Sequence, residues 1–316
     1  MIKTRVCDIF DIKYPIFQGG MAWVSDANLA AAVSKAGGLG FIAAMNAGPD
    51  YVREQIDLCR EMLNGEPFGV NIMLMSPYAE EVAQVVIEKN VPVVATGAGS
   101  PAKYMAAWLE VGIKVVPVIP STALAKRMER MGATAVVAEG GESGGHVGDL
   151  TTMTLVPQVV DAVEIPVIAA GGIADGRGIA AAFMLGAEGV QCGTRFLAVE
   201  ECNIHQNVKE RVVAAKDIDT MVTGRRSGHP VRAFKNNFTK EYAKMEWNES
   251  LSEEEINSFG VGALRKAFVE GDTKTGSVMA GQIAGMVKDI VPAKVAIERM
   301  FEEAEEIMNG AAKWVK

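Results

Sequence analysis

Eight short apolar runs recur along the chain at intervals of about twenty to thirty residues, and they constrain the fold more than any other feature: YPIFQ (14–18), GLGFIA (38–43), FGVNIML (68–74), VPVVATG (91–97), KVVPVI (114–119), TAVVAE (134–139), IPVIAAGG (165–172) and EGVQCG (188–193). The runs are near-continuous rather than alternating. That pattern belongs to strands buried on both faces, as in a parallel sheet covered by helices. Most intervals carry a helix-period stretch with a start or stop signal. SDANLAAAVSKAG has Ser25 or Asp26 as N-cap, SPYAEEVAQVVIEK carries Pro77 in its first turn, and PSTALAKRMERMG closes on Gly132. Eight strand–helix units predict an α/β chain closed into a (β/α)8 TIM barrel. The rival, a doubly wound open sheet, would place GxGxxG after the first strand and an acid about twenty residues later. Here the first run ends in QGGM, and the richest glycine turns follow runs six, seven and eight. A barrel has its phosphate site in that region.

The texture changes after Phe196. Residues 198–268 hold most of the exposed-looking charge and no convincing apolar strand, which predicts a small, mainly helical insertion serving as a lid. Within it SLSEEE, with Ser252 ahead of Glu255, reads as a capping box opening a helix. GSVMAGQIAGMV and AKVAIERMFEEAEEIM then return as barrel-like helices. The expected organisation is a barrel over 1–197, an inserted lid or substrate domain over 198–268, and C-terminal helices over 269–316. Charged residues make up 22% and apolar ones 49%, a globular balance, and no apolar run reaches the roughly 18 residues of a membrane span. The opening MIKTRV has no apolar core behind its basic residues, so a cytoplasmic location is expected. With 31 Lys and Arg against 39 Asp and Glu, the net charge of −8 leaves no electrostatic footprint for nucleic acid. Cys7, Cys59, Cys192 and Cys202 show no CxxC spacing, which fits free thiols better than disulfides or zinc.

Barrel chemistry sits at the C-terminal strand ends. The candidates there are Gln18-Gly19-Gly20-Met21, Asn71, Thr96-Gly97, Glu139 with the loop GGESGGHVG, Ala170-Gly171-Gly172 and Gln191-Cys192-Gly193-Thr194. Two successive glycine turns beside helix starts make a cup for phosphate, although tight turning alone explains either one. Asn71 and Gln191 both donate and accept, matching the mixed pyrimidine edge of a flavin, or else they stitch loops together. His146 stands among five glycines and can give or take a proton near neutral pH. His205 and His229 fall in the charged insertion and read as surface residues. Cys192 reads as packing rather than as a nucleophile. Met21, Met73, Met75, Met153 and Met279 are either a soft apolar lining or core filler.

The segments YPIFQGGMAWV, GVNIML, VATGAG, AEGGESGGHVG, PVIAAGGIADG, VQCGTRF and GSVMAGQIAG together resemble the FMN-dependent enoyl-acyl-carrier-protein reductase II family of bacterial fatty-acid synthesis. That family is a branch of the nitronate monooxygenase (2-nitropropane dioxygenase-like) superfamily. The resemblance runs along the whole chain and is weakest near 240–260. GGHVG and AAGGI are shared with nitronate monooxygenases, whereas FQGGMAWV, TTMTLVPQV and VMAGQIAG are more like the reductase. The resemblance implies FMN as cofactor, NADH or NADPH as co-substrate, and reduction of the trans-2 double bond of an enoyl thioester on acyl carrier protein. It places Gly20, Met21 and Ala22 with Asn71 at the flavin ring. Gly171, Gly172, Gly193 and Thr194 with Gln191 fall at the phosphate, and Met279, Gly281 and Gln282 cover the flavin. Gln18, Gly19, Thr96, Glu139, Ser143, Gly144, Gly145 and Ala170 complete the cofactor set, and His146 is the active-site histidine. A homodimer and stimulation by a monovalent cation are implied by the resemblance alone. Nitronate oxidation with oxygen and a non-catalytic flavin carrier are the alternatives. The basic cluster Arg225, Arg226, Arg232 and Lys235 would attract NADH phosphates or the acidic carrier protein, or is simply a solvated loop.

Overall fold

The structure, a computed structural model, describes residues 2–44 and 48–314. Each of the eight apolar runs forms a strand: β1 (Ile16–Gln18), β2 (Gly40–Ala44), β3 (Phe68–Met73), β4 (Val93–Gly97), β5 (Lys114–Ile119), β6 (Val136–Glu139), β8 (Val167–Ala170) and β9 (Gly189–Cys192). They pair in parallel in the order β1-β9-β8-β6-β5-β4-β3-β2. A parallel bridge between Phe17 and Leu39 joins the two ends and closes the barrel. The expected helices fill the intervals. Asp26 caps Ala27–Lys35 by accepting from the Leu29 N–H, and Ser121 caps Thr122–Arg130. Pro77 lies in the turn ahead of Ala79–Glu88 rather than inside its first turn.

Strand parity sorts the core into two layers. Phe17, Phe41, Val93, Ala95, Val116, Val137, Ile168 and Ala170 fill the barrel interior. Their neighbours Ile16, Ile42, Val94, Val115, Val136, Ala169 and Val190 face the surrounding helices. The N-terminal helix Arg5–Phe10 packs Val6 and Phe10 into the interior layer at the N-terminal strand ends, with Phe10 edge-on to Phe17 at 5.2 Å. That end of the barrel is thereby plugged, which leaves the C-terminal ends for the site.

The inserted segment departs from expectation. It holds the helices Gln206–Val213, Asn237–Glu246, Glu253–Gly260 and Ala263–Phe268, but also two strands, β10 (Thr220–Thr223) and β11 (Val231–Phe234). These form an antiparallel hairpin, and β7 (Gly145–His146) from the long loop after β6 adds to it as a third strand. Each hairpin strand is four residues long and β11 carries an arginine, so neither produces a continuous apolar run. The Ser252–Glu255 capping box is present. The returning GSVMAGQIAGMV does not form a barrel helix: residues 276–280 are irregular apart from an isolated bridge at Met279, and only a 3-10 turn, Gln282–Met286, follows. Three glycines in twelve residues disfavour a helix there. The amphipathic Ala293–Gly310 is helical and packs on Gly176–Met184. All four cysteines are free and buried. Among the described residues no helix is long and apolar enough to cross a membrane.

Candidate active site

At the C-terminal strand ends lies a cavity of about 400 Å³, within the range of small-molecule sites. Its lining includes Gly19, Gly20, Met21, Ala22, Asn71, Glu139, Ser143, Gly144, Gly145, His146, Ala170, Gly171, Gly172, Gln191, Gly193, Thr194, Met279 and Gly281. Three candidates fall outside it. Gln18 shares the outward parity of Ile16, and Thr96 that of Val94, so both side chains are buried on the helix side of their strands. Gln282 turns its side chain to solvent while its N–H donates to the Glu142 carbonyl at 2.9 Å. The side chains of these three therefore do not line the cavity.

Inward parity brings Asn71, Glu139 and Gln191 to the mouth from β3, β6 and β9. None of these three side chains makes a hydrogen bond to another described residue. Ser143 is buried, lines the same cavity, and its Oγ has no partner. Buried polar atoms are ordinarily satisfied. Four unpartnered polar groups converging on one cavity are a ligand-shaped set, and the reading of Asn71 and Gln191 as loop stitches does not hold. Thr194 differs: its hydroxyl accepts from the Gly281 N–H at 2.9 Å and so ties the returning chain over the cavity.

The backbone is shaped for close approach. Gly171 and Gly172 have φ of +88° and +75°, a left-handed stretch that glycine alone adopts freely, and a Cβ on Gly171 would lie 2.7 Å from the Gly140 carbonyl oxygen. A Cβ on Gly20 would overlap Asn71. Met21, Met73 and Met279 line the cavity, whereas Met75 and Met153 are 60% and 67% exposed.

Electrostatics favour neutral donors. Burial pushes the Glu139 carboxyl up to about 7. His146 is exposed at the mouth of the cavity; partial desolvation there, and secondarily the nearby His229, hold its imidazole below its ordinary value. His229 is exposed, as its place in a charged loop suggested. Burial pushes the Cys192 thiol up to about 12, and its Sγ donates to the Ile173 carbonyl at 3.6 Å, which leaves no thiolate for nucleophilic attack. The basic cluster is largely committed to the protein: the Arg226 guanidinium donates to the Glu246 carbonyl at 2.9 Å, Arg232 to the Gly141 carbonyl at 3.0 Å, and Arg225 pairs with Asp149 at 3.5 Å.

Several lining residues are not singled out individually by the sequence. Glu142 enters from the His146 loop, and its carboxylate accepts from the Thr152 N–H at 2.9 Å. Leu264 and Phe268 reach in from the inserted helix Ala263–Phe268. Their i, i+4 spacing marks one apolar face, a signal visible in the sequence but not assignable to the cavity without the tertiary contact.

The chain matches the nitronate monooxygenase family over residues 3–303. A probable nitronate monooxygenase of Staphylococcus saprophyticus is 34% identical, covering 98% of this chain and 99% of that protein. The (3aS,4S,5R,7aS)-5-hydroxy-7a-methyl-1-oxo-octahydro-1H-indene-4-carboxyl-CoA dehydrogenase of Rhodococcus jostii is 31% identical, with 96% of each chain covered. FabK from Thermotoga maritima is similar in structure with a TM-score of 0.97 and 48% identity, covering 100% of both chains. The barrel and the matched span of the chain thus agree, and the chain belongs to the nitronate monooxygenase family.

Proposed function

We propose that the protein is an FMN-dependent enoyl-acyl-carrier-protein reductase that uses NADH or NADPH. The observation that carries this reading is the set of unpartnered polar groups, Asn71, Gln191, Ser143 and Glu139, converging on one cavity with the Gly171-Gly172 turn. The 48% identity to FabK over the whole chain supports the reductase branch. These residues fit FMN. The Asn71 amide matches a ring edge that both donates and accepts, the Gln191 amide can donate to a phosphate oxygen, and the glycine turns leave room for a phosphate where a Cβ would not fit. Gly20, Met21, Ala22 and Asn71 would hold the ring, and Gly171, Gly172, Gly193, Thr194 and Gln191 the phosphate end.

When bound, FMN would supply hydride-transfer chemistry between a nicotinamide and the β-carbon of an enoyl thioester. The electron pair of the double bond then moves to the α-carbon and carbonyl oxygen, and a proton must reach the α-carbon. His146, at the cavity wall, donates a hydrogen bond from its N–H to the developing enolate oxygen when neutral; delivery of the proton to the α-carbon requires the imidazolium form, which then returns to the neutral base. Met279, held by the antiparallel bridge to Ala233, covers the site from the returning chain. Segment 198–268 serves as the substrate lid through Leu264 and Phe268. A cytoplasmic homodimer stimulated by a monovalent cation completes the proposal.

The family match and the names of its relatives favour a second reading, nitronate oxidation with oxygen, in which the neutral His146 takes a proton from the substrate. Anaerobic titration separates the two. Purified protein should be yellow, bleach with NADH, and recolour with crotonyl thioester; recolouring only by oxygen, with turnover of an alkyl nitronate, would establish the second reading instead. His146→Gln should leave the flavin spectrum intact and slow enoyl reduction by about two to four orders of magnitude. Unchanged turnover would remove His146 from the chemistry.

A further inference from the structure

The loop after β6 that carries His146 contains five glycines, so its own side chains supply little stiffness. Its neck closes where the Gly141 N–H donates to the Leu150 carbonyl at 2.8 Å. Beyond the neck its fixings include β11, which runs antiparallel with Val231 opposite His146 and Arg232 opposite Gly145. The Arg232 side chain then turns back along the loop. Its Nε and Nη2 donate to the Gly141 carbonyl at 3.3 and 3.0 Å, and Nη1 donates to Thr220 Oγ1 at 3.3 Å. One residue therefore grips both ends of the stretch 141–145, by main-chain register at Gly145 and by a two-pronged guanidinium at Gly141.

This arrangement is not what a solvated loop arginine adopts. The guanidinium is half-buried and committed to a main-chain carbonyl, while the neighbouring carboxylate, Glu142, is spent on Thr152. A charged donor on a carbonyl is among the stronger hydrogen bonds, and its partner here is the neck of the histidine loop. We infer that Arg232 is a positioning residue that fixes the orientation of His146, rather than an attractor of substrate charge. The consequence for turnover rests on the reductase reading; the effect on the loop does not.

The test uses flavin-loaded protein with Arg232→Met, Arg232→Lys and each combined with His146→Gln. Hydrogen exchange of the peptide spanning 140–150 should accelerate ~10-fold or more in R232M and less in R232K, with thermal unfolding little changed. Enoyl reduction should lose ~10- to 100-fold in kcat in R232M with KM held, and recover in part in R232K. In the H146Q background R232M should add less than ~2-fold, because both changes act through one imidazole. Unchanged exchange overturns the proposal, as does an equal loss in both backgrounds or a salt-dependent rise in KM alone. Should R232M not fold, exchange in R232K decides. A protein that reduces no enoyl thioester refutes the reductase reading, and loop exchange still decides the role of Arg232.

Discussion

At the scale of single residues, the site is built from groups whose burial changes their proton affinity, and Glu139 shows the consequence for stability. Its carboxyl is pushed up to about 7 from an ordinary 4.5 by burial alone. Below pH 4.5 the folded and unfolded chains both hold the proton. Between 4.5 and 7 the folded state keeps a proton that the unfolded state has released, so stability falls as pH rises through that window and stays lower above it. The loss is on the order of 3 kcal/mol at pH 8, an upper figure for a group that still faces a cavity. Flavin-free Glu139→Gln should match wild type near pH 4 and exceed it at pH 8 in urea unfolding. Curves that run parallel across the range would show that Glu139 ionises freely.

At the scale of elements, the turn after β8 and the three-stranded sheet do different work. Thr152 joins the turn to the neighbouring helix: its hydroxyl bonds the Gly171 carbonyl at 2.9 Å and the Glu142 carboxylate at 2.9 Å. Gly171 itself is held at φ +88° against the Gly140 carbonyl. Gly171→Ala should cost roughly 1–3 kcal/mol from the left-handed backbone. It should also weaken FMN retention, as read by flavin fluorescence on dilution; an Ala variant with wild-type stability and retention would mean that the turn has slack. The sheet of β7, β10 and β11 was not legible as strands, because short half-exposed ribbons lack the apolar continuity that marked the barrel strands. Its role arises from pairing across 85 residues, between His146 and Val231, and no local pattern records that partnership.

At the scale of the whole molecule, barrel closure rests on a side chain that resembled a cofactor ligand. The Leu39 N–H donates to the Ile16 carbonyl and the Gln18 N–H to the Leu39 carbonyl, both at 2.9 Å. At the next step the Phe41 N–H donates to Gln18 Oε1 at 3.0 Å instead of to a main-chain carbonyl. Gln18 Nε2 donates to Ser25 Oγ at 2.8 Å and also to the Gly19 carbonyl. Gln18→Met, similar in volume, would leave the Phe41 N–H buried without an acceptor and should destabilise the protein by about 1–3 kcal/mol while FMN affinity holds. A loss of flavin affinity at unchanged stability would return Gln18 to the cofactor site.

The sequence by itself determined the eight strands, the barrel they close into and the end of it that carries chemistry. Each follows from local rules: apolar continuity for burial on two faces, caps and glycines for where helices start and stop. It also singled out His146, Asn71, Gln191 and the paired glycine turns, because polar or Cβ-free positions at strand ends are costly unless something occupies the space before them. Tertiary structure alone decided which strand-end side chains look inward, since a strand's parity is set by its neighbours' register; Gln18 and Thr96 consequently turned away from the cavity while Glu139 turned into it. It alone joined the histidine loop to Arg232, because a hydrogen bond between residues 91 positions apart depends on how the chain returns and leaves no periodic trace in composition.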